Sequence, residues 1–344
     1  MVDVVSYDGT PARWDDFVVS QPTASIEHTY GWRSVIEKAY GHRCHYLSAV
    51  QDGTIRGVLP LVHVRSLLFG NHLISMPFLD YGGILACDRN AAQALHDSAA
   101  ALARELKVDD LIYRHKEPCG LDLPVFQGKV TFLLRLFASE EELWKAIPSE
   151  RRNRVRKTQK LGLRSRFSGS DEVGIFYDIW SANMKDLGSP AHSREFFDEI
   201  FSSLGTHAEL IFVDNDRGET VAGGLSLKFR DTVMLPWVSS RRKFFDLYPN
   251  NLLYWDLMAK ACREGISCFD FGRSSMDSGT FQFKKRWKAE IVQLNWEYVP
   301  VSQGKVNFLT QDEKRFSPLI SLWKRLPLFV ANSLGPVLRK GIIN

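Results

Sequence analysis

The sequence predicts a layered α/β protein with mixed sheets and flanking helices, built from two copies of one unit. Three observations carry this expectation. The chain has 344 residues, more than one hydrophobic core usually serves. Its 44% hydrophobic and 24% charged content is that of an ordinary folded domain. Above all, one order of patterns (hairpin, strand, helix, strand) occurs twice.

In the first copy, HYLSAVQDGTIRGVLPLVHVRS (45–66) places two apolar runs about an Asp52-Gly53 turn, the signature of a β-hairpin. HLISMPFLDYGGIL (72–85) follows as a strand, and AAQALHDSAAALARELKVDDLIYRH (91–115) as a helix and a short strand. In the second copy AELIFVDNDRGETVAGGLSLKFRD (208–231) is the hairpin, turning at Asn215 to Gly218, and TVMLPWVSS (232–240) the next strand. NLLYWDLMAKACREGISCFDFG (251–272) then supplies helix and strand. Leu253, Leu257 and Ala261 recur at helical spacing, and Gly265 ends the helix. Pro124 and Gly128 punctuate the chain before a new strand and a helix capped by Ser139. The expected division is therefore 1–128, 129–300 and a tail, 301–344.

Several function classes lose support at once. A net charge of +4 is too small to imply nucleic-acid binding from the total, and no DNA partner is expected. Cys44, Cys87, Cys119, Cys262 and Cys268 are scattered with no CxxC pair, which predicts reduced thiols and no zinc site. No GxGxxG, P-loop or HExxH occurs. The N-terminal stretch has no signal-peptide pattern, and no apolar run approaches the roughly 18 residues of a membrane span. A cytoplasmic location is expected, at the inner face of the membrane if the tail meets lipid. In that tail, LISLWKRLPLFVANSLGPVLRKG mixes apolar residues with Lys324, Arg325, Arg339 and Lys340, a composition that suits peripheral contact with an anionic membrane. Pro327 and Pro336 break it into short pieces, which favours packing as a strap.

Five stretches together, MPFLDYGG (76–83), RRNRVRKTQKLGL (151–163), LGSPAHSREFF (187–197), YPNNLLYW (248–255) and FDFGRSS…GTFQFKKRW (269–287), resemble the Fem-type (FemAB) transferases. The likeness spans roughly residues 25 to 300 and is nearest to the branch associated with exopolysaccharide and exosortase gene clusters. It implies two GNAT-like acyltransferase units in tandem and transfer of an acyl group to an amine, with aminoacyl-tRNA as the donor. One departure stands out. Such sequences commonly follow the Trp of Phe-Lys-x-x-Trp with Gly, whereas Trp287 is followed by Lys288, so a turn that Gly would ease is in question.

The candidate residues follow. Asp270 falls at the carboxyl end of a strand, where α/β sheets expose ligand-facing groups; Phe269 and Phe271 would face the other side. Gly272 turns the chain to present Arg273, Ser274 and Ser275. Amide transfer passes through a tetrahedral oxyanion, and a positioned cation there is worth roughly 3 kcal/mol of barrier. Lys284, which matches the Lys of the family motif, is the first candidate, with Arg273 beside it and Asp270 holding both. Lys285, Arg286 and Lys288 read as a solvated basic face. The resemblance turns the motif with Asp80 and Tyr81 toward the acceptor, giving Asp80 the amine to orient or deprotonate; the alternative is a turn-capping Asp. Asn183 and His192 flank a Gly-Ser-Pro loop, His192 as a base near neutrality or as a surface residue. Tyr254 either aims its hydroxyl at substrate or packs in the core.

Eight of the sixteen residues from Arg151 to Arg166 are basic and none is acidic, so Arg152, Arg156 and Lys160 repel one another at i,i+4 and call for an anion. Phosphates of aminoacyl-tRNA, or of an anionic glycan or a nucleotide-linked or lipid-linked acceptor, would serve, as would carboxylates elsewhere in the fold. Enzymes of this fold that use acyl-CoA usually bind its pyrophosphate on a Gly-rich loop before a helix; SSRRKFFDLYPNN (239–251) has no glycine, which disfavours CoA. No metal or redox cofactor is expected. The sequence therefore points to a Fem-like N-acyl or aminoacyl transferase linked to exopolysaccharide or cell-envelope biosynthesis. The alternatives are an acyl-CoA-dependent N-acyltransferase and a non-catalytic module that binds anionic polymer or tRNA.

Overall fold

A computed structural model describes residues 2–276, 278–301 and 313–343. The chain divides into two compact units: Met1–Lys129 with Gln293–Glu313 and Lys340–Asn344, and Val130–Val292 with Lys314–Arg339. Each holds one mixed sheet with helices against it.

In the first unit the strands run in the order Asp3–Ser6, Arg43–Gln51, Thr54–Ser66, Gly70–Ser75, Asp110–His115, Asn295–Pro300 and Val125–Phe126, with Leu85–Ala86 paired to Thr54–Ser66. The hairpin is as the pattern predicts: Asp52 and Gly53 both take positive φ, 49° and 75°, the conformation a tight two-residue turn demands. Helix Arg89–Glu105 starts where the Asp88 carboxylate accepts from the Ala91 amide and buries Leu95, Ala99 and Ala103. It returns the chain to a strand parallel to Gly70–Ser75, pairing His72 with Asp110, Leu73 with Leu111 and Ile74 with Ile112.

The second unit repeats this plan. Its order is Ser274–Ser275, Lys129–Arg135, Cys268–Asp270, Thr232–Ser240, Thr220–Phe229, Ala208–Asp214 and Arg164–Ser168, with Glu290–Gln293 paired to Lys129–Arg135. Helix Pro249–Arg263 buries Leu253, Leu257 and Met258 in a core with Phe132, Phe269 and Trp287. It ends at Gly265, φ 73°, where the Gly265 and Ile266 amides reach the Cys262 and Ala261 carbonyls. Again three residues pair in parallel: Thr232 with Cys268, Val233 with Phe269 and Met234 with Asp270.

The observed division differs from the sequence expectation at its far end. Asn295–Pro300 pairs with Asp110–His115 and so lies in the first sheet, because a strand's partner is chosen by edge and register across the fold and not by neighbours in sequence. The tail is likewise shared out. Helices Glu313–Arg325 and Leu328–Arg339 fall within the second unit apart from Glu313 itself, and Lys340–Asn344 in the first. Among the described residues no helix is long and apolar enough to cross a membrane.

Candidate active site

The second sheet opens at its centre. Strand Thr232–Ser240 runs beside Cys268–Asp270 only as far as Met234, since the partner strand stops at Asp270. At that point the long strand also bulges: Leu227 faces Met234 but Leu225 faces Trp237, so an extra residue sits at Leu235–Pro236. A proline there removes no ladder bond that a bulge would have kept, and bulges re-aim strands beside active sites. Parallel neighbours that part at their carboxyl ends leave the crevice in which α/β sheets bind ligands.

Asp270 stands at the mouth of this opening. It is buried, and its Oδ1 accepts from the Thr131 hydroxyl at 2.8 Å and the Gly272 amide at 2.7 Å. Gly272 has φ 70°, a left-handed turn that its bond to Asp270 fixes. Phe269 and Phe271 enter the core, edge to face at 4.7 Å, leaving Asp270 on the opposite side as strand alternation requires. Lys284 rises from the short helix Gly279–Lys285, whose Ser278 hydroxyl accepts from the Phe281 amide. It is 7% exposed, and its ammonium donates to the Gly272 carbonyl at 2.7 Å and the Arg273 carbonyl at 2.9 Å. A buried ammonium bonded to the turn that follows Asp270 pins that turn and puts a positive charge at the strand end. Lys285, Arg286 and Lys288 are exposed. Lys288 has φ 58°, so the turn usually given to glycine is made here by lysine.

The basic segment forms helix Ser149–Lys160, and its cations meet partners from distant segments. Arg151, 3% exposed, donates to the Asn251 side-chain oxygen at 2.8 Å and pairs with Glu150. Burial outweighs that pairing and lowers the pKa of its guanidinium from the usual value. Arg152 donates to the Trp144 and Lys145 carbonyls at the end of helix Glu140–Ala146, where cations suit the helix dipole. Arg156 lies over the Trp144 ring at 5.2 Å, and Arg154 and Lys157 over Tyr248 at 4.0 and 5.1 Å. Lys160 is exposed. Tyr248, φ 56°, is the N-cap of helix Pro249–Arg263, and Pro249 occupies its first turn. At the anion-attracting end of this helix Pro249 supplies no N–H, and Arg154 and Lys157 stand over the ring of its N-cap residue.

In the first unit the sheet parts in the same place, but segment 76–83 fills the gap. Met76 and Phe78 take positive φ, 47° and 72°, conformations costing of order 1–3 kcal/mol each. Arg114, 1% exposed, lies over Trp296 at 4.5 Å and holds the segment by bonds to the Met76 and Leu79 carbonyls. Both glycines are required. Gly82 has φ 113°, and a Cβ on Gly83 would stand 2.2 Å from the His115 ring. Asp80 is buried and its carbonyl accepts from the Trp296 indole; Tyr81 is buried under Lys116, 5.8 Å from its ring centre.

Tyr81, Gly83, His28, His115, Lys116 and Cys119 help line a cavity of about 440 Å³. Behind it sits Glu297, 1% exposed, 2.7 Å from His115 Nδ1 and accepting from the Cys119 thiol at 3.6 Å. The Ile84 amide donates to His115 Nε2 at 2.7 Å, which leaves the proton of the neutral ring on Nδ1 beside the carboxylate. Though the three donors lie within 4.8 Å of one another, a metal at Nδ1 would have to displace that proton. Burial, followed by Glu297, pushes the Cys119 thiol up to about 12, so it stays protonated and is a poor nucleophile. Burial above all brings His28 down to about 4.

The remaining sequence candidates lie elsewhere in the second unit. Asn183 donates to the Ser239 hydroxyl at 3.0 Å, near the end of the bulged strand. His192 is buried, stacked between Trp180 and Phe196, with burial holding its pKa well below the usual value. Tyr254 stacks on Phe271 at 5.3 Å within the core. The structure brings Asp270, Arg273 and Lys284 together. Sequence reasoning missed Thr131, His28, Arg114, His115, Cys119 and Glu297; no motif marks them, and their partners lie far off in sequence, Glu297 being 178 positions from Cys119.

Residues 149–285 match the acetyltransferase (GNAT) domain family. No curated protein matches the chain. Among solved structures, FemX is similar over 93% of this chain and 100% of its own, at a TM-score of 0.70 and 16% identity. L-PGS from Bacillus licheniformis is similar over 94% and 99%, at 0.58 and 12%. A tandem GNAT protein from the clavulanic acid biosynthesis pathway is similar over 89% and 100%, at 0.56 and 12%. At such identities the likeness is one of fold: the chain is a tandem GNAT-like α/β protein, and with the matched domain this fold supports an acyltransferase.

Proposed function

We propose that the chain is a Fem-like N-acyl or aminoacyl transferase that forms an amide on an amine acceptor and serves exopolysaccharide or cell-envelope biosynthesis. The observation that carries this reading is the opening of the second sheet, where strand pairing stops at Met234–Asp270 beside a bulge and Lys284 is held at its mouth. The acceptor nitrogen attacks the activated acyl carbonyl, a C–N bond forms, the ester or thioester bond breaks, and the amine proton ends on the leaving group. Lys284 and Arg273 offset the negative charge of the tetrahedral intermediate, while Asp270 fixes the turn that carries Arg273 and whose carbonyls hold the Lys284 ammonium. The reaction is redox-neutral and needs no organic cofactor beyond its donor.

Aminoacyl-tRNA is favoured over acyl-CoA as donor, because residues 239–251 hold no glycine and Pro249 lacks the N–H that a phosphate-binding turn would offer at this helix start. Arg154, Arg156, Lys157 and Lys160 offer charge to a polyanion. The acceptor is read as an amine on an anionic glycan, or on a nucleotide-linked or lipid-linked precursor. Lys288 makes the turn that glycine would ease, which supports the enzyme reading over a non-catalytic binding module. The test is to incubate the protein with labelled aminoacyl-tRNA and, in parallel, acyl-CoA, over a pool of amine-bearing glycans and peptides, and to seek new amides by mass spectrometry. A product from the tRNA arm alone is expected. A product from CoA alone reverses the donor assignment, and none from either arm overturns the reading.

A further inference from the structure

The two C-terminal helices are built inside out. In Leu328–Arg339, Ala331 and Gly335, one turn apart, face the protein body; a Cβ on Gly335 would meet the Ala191 backbone at 3.2 Å. The large apolar side chains point the other way: Phe329 is 73% exposed, Leu334 49% and Val337 62%. With Ser333 they fall at i, i+4, i+5 and i+8, a single outward stripe. In Glu313–Arg325, Trp323 is buried while Leu319 and Leu322, three residues apart, are each 61% exposed. An amphipathic helix on a globular protein normally buries such a stripe, and contiguous exposed apolar surface marks an interaction site.

Charge says what covers it. From Lys314 to Ile343 the sequence carries six cations, Lys314, Arg315, Lys324, Arg325, Arg339 and Lys340, and neither Asp nor Glu. Lys324 and Arg325 are exposed. A protein partner with an apolar face would need no such one-sided charge, whereas a sheet of anionic headgroups over hydrocarbon needs both features at once. Pro318 and Pro336 interrupt the helices, and neither is fit to span a bilayer, so contact is limited to the surface. We infer that residues 319–337 form a docking face for an anionic lipid surface, with Phe329, Leu334, Val337, Leu319 and Leu322 entering the headgroup boundary and Lys324 and Arg325 meeting phosphates. This inference stands apart from the assignment of acyl transfer.

The test is co-sedimentation of the full chain with vesicles of equimolar phosphatidylethanolamine and phosphatidylglycerol, and with vesicles of phosphatidylcholine. Binding to the anionic vesicles alone, weakened by salt, is expected. Phe329→Ser with Leu334→Ser is expected to lower the partition coefficient at least about tenfold, and Lys324→Glu with Arg325→Glu by a similar factor. The thermal midpoint should not move, because these side chains leave no core contact behind. Equal binding to both vesicles, no binding, or binding indifferent to both double substitutions overturns the inference. So does a dimer in sedimentation velocity that Phe329→Ser with Leu334→Ser dissociates, which would make the face a contact between copies.

Discussion

Lys288 offers a quantitative check on the turn beside the candidate site. Helix Gly279–Lys285 ends as the Trp287 and Lys288 amides take the Lys284 and Lys285 carbonyls at 3.0 and 3.1 Å, and the chain must then reverse into Glu290–Gln293. Lys288 makes the reversal at φ 58°. A side chain there costs roughly 1–2 kcal/mol through its Cβ, and glycine pays none of it. The freedom glycine regains on unfolding returns about 0.5–1 kcal/mol of that gain. The Lys288 side chain is exposed, so its loss removes little packing. Lys288→Gly is therefore expected to stabilise the second unit by about 0.5–1 kcal/mol, a rise of roughly 1–4 °C in its thermal midpoint. Scanning calorimetry of wild type, Lys288→Gly and Lys288→Ala decides it. Alanine keeps the Cβ and should gain nothing. A glycine variant no more stable than wild type, or an alanine variant equally stabilised, would refute the claim of strain.

Lys284→Ala is expected to lower kcat about a hundredfold or more, with Lys284→Arg recovering part of it; unchanged turnover would remove Lys284 from the chemistry. Gly83→Ala drives a methyl into the His115 ring and should cost about 1–3 kcal/mol as overpacking, read as a lower urea midpoint. His28, held at about 4 against an ordinary 6.5, favours the folded state only while neutral. Its stabilisation is whole above pH 6.5 and is lost as pH falls toward 4, on the order of 3 kcal/mol. Unfolding free energy measured across that window should slope upward with pH, and His28→Gln should flatten the slope; an unaltered slope would rule His28 out as its source.

Local signals sufficed for a good part of the fold. Asp52-Gly53 fixed one hairpin, Gly265 ended a helix, Ser139 capped another by accepting from the Glu142 amide, and Phe269 and Phe271 alternated into the core. Each depends on a few adjacent dihedrals or on a period of two or four. The site was legible in outline through the Asp270 turn and the Lys of the Phe-Lys pair. The basic helix was half read: its charge stood out, but the aromatic faces its arginines use, Trp144 and Tyr248, come from other segments.

The two α/β repeats, their turns and caps, and the residue types at the end of the last central strand were readable from the residues alone, because these follow from short-range sterics and hydrophobic periodicity. Tertiary contact was needed to show what holds Lys284, the one cation of four that the sequence had set apart from a solvated face. In KKRWK, Lys284 turns inward to the Gly272 and Arg273 carbonyls while Lys285, Arg286 and Lys288 face water. Tertiary contact alone also joined Glu297 to His115 and Cys119 and returned strand Asn295–Pro300 to the first sheet. Burial and long-range pairing depend on what the rest of the chain brings to a position, and that information lies far away in sequence.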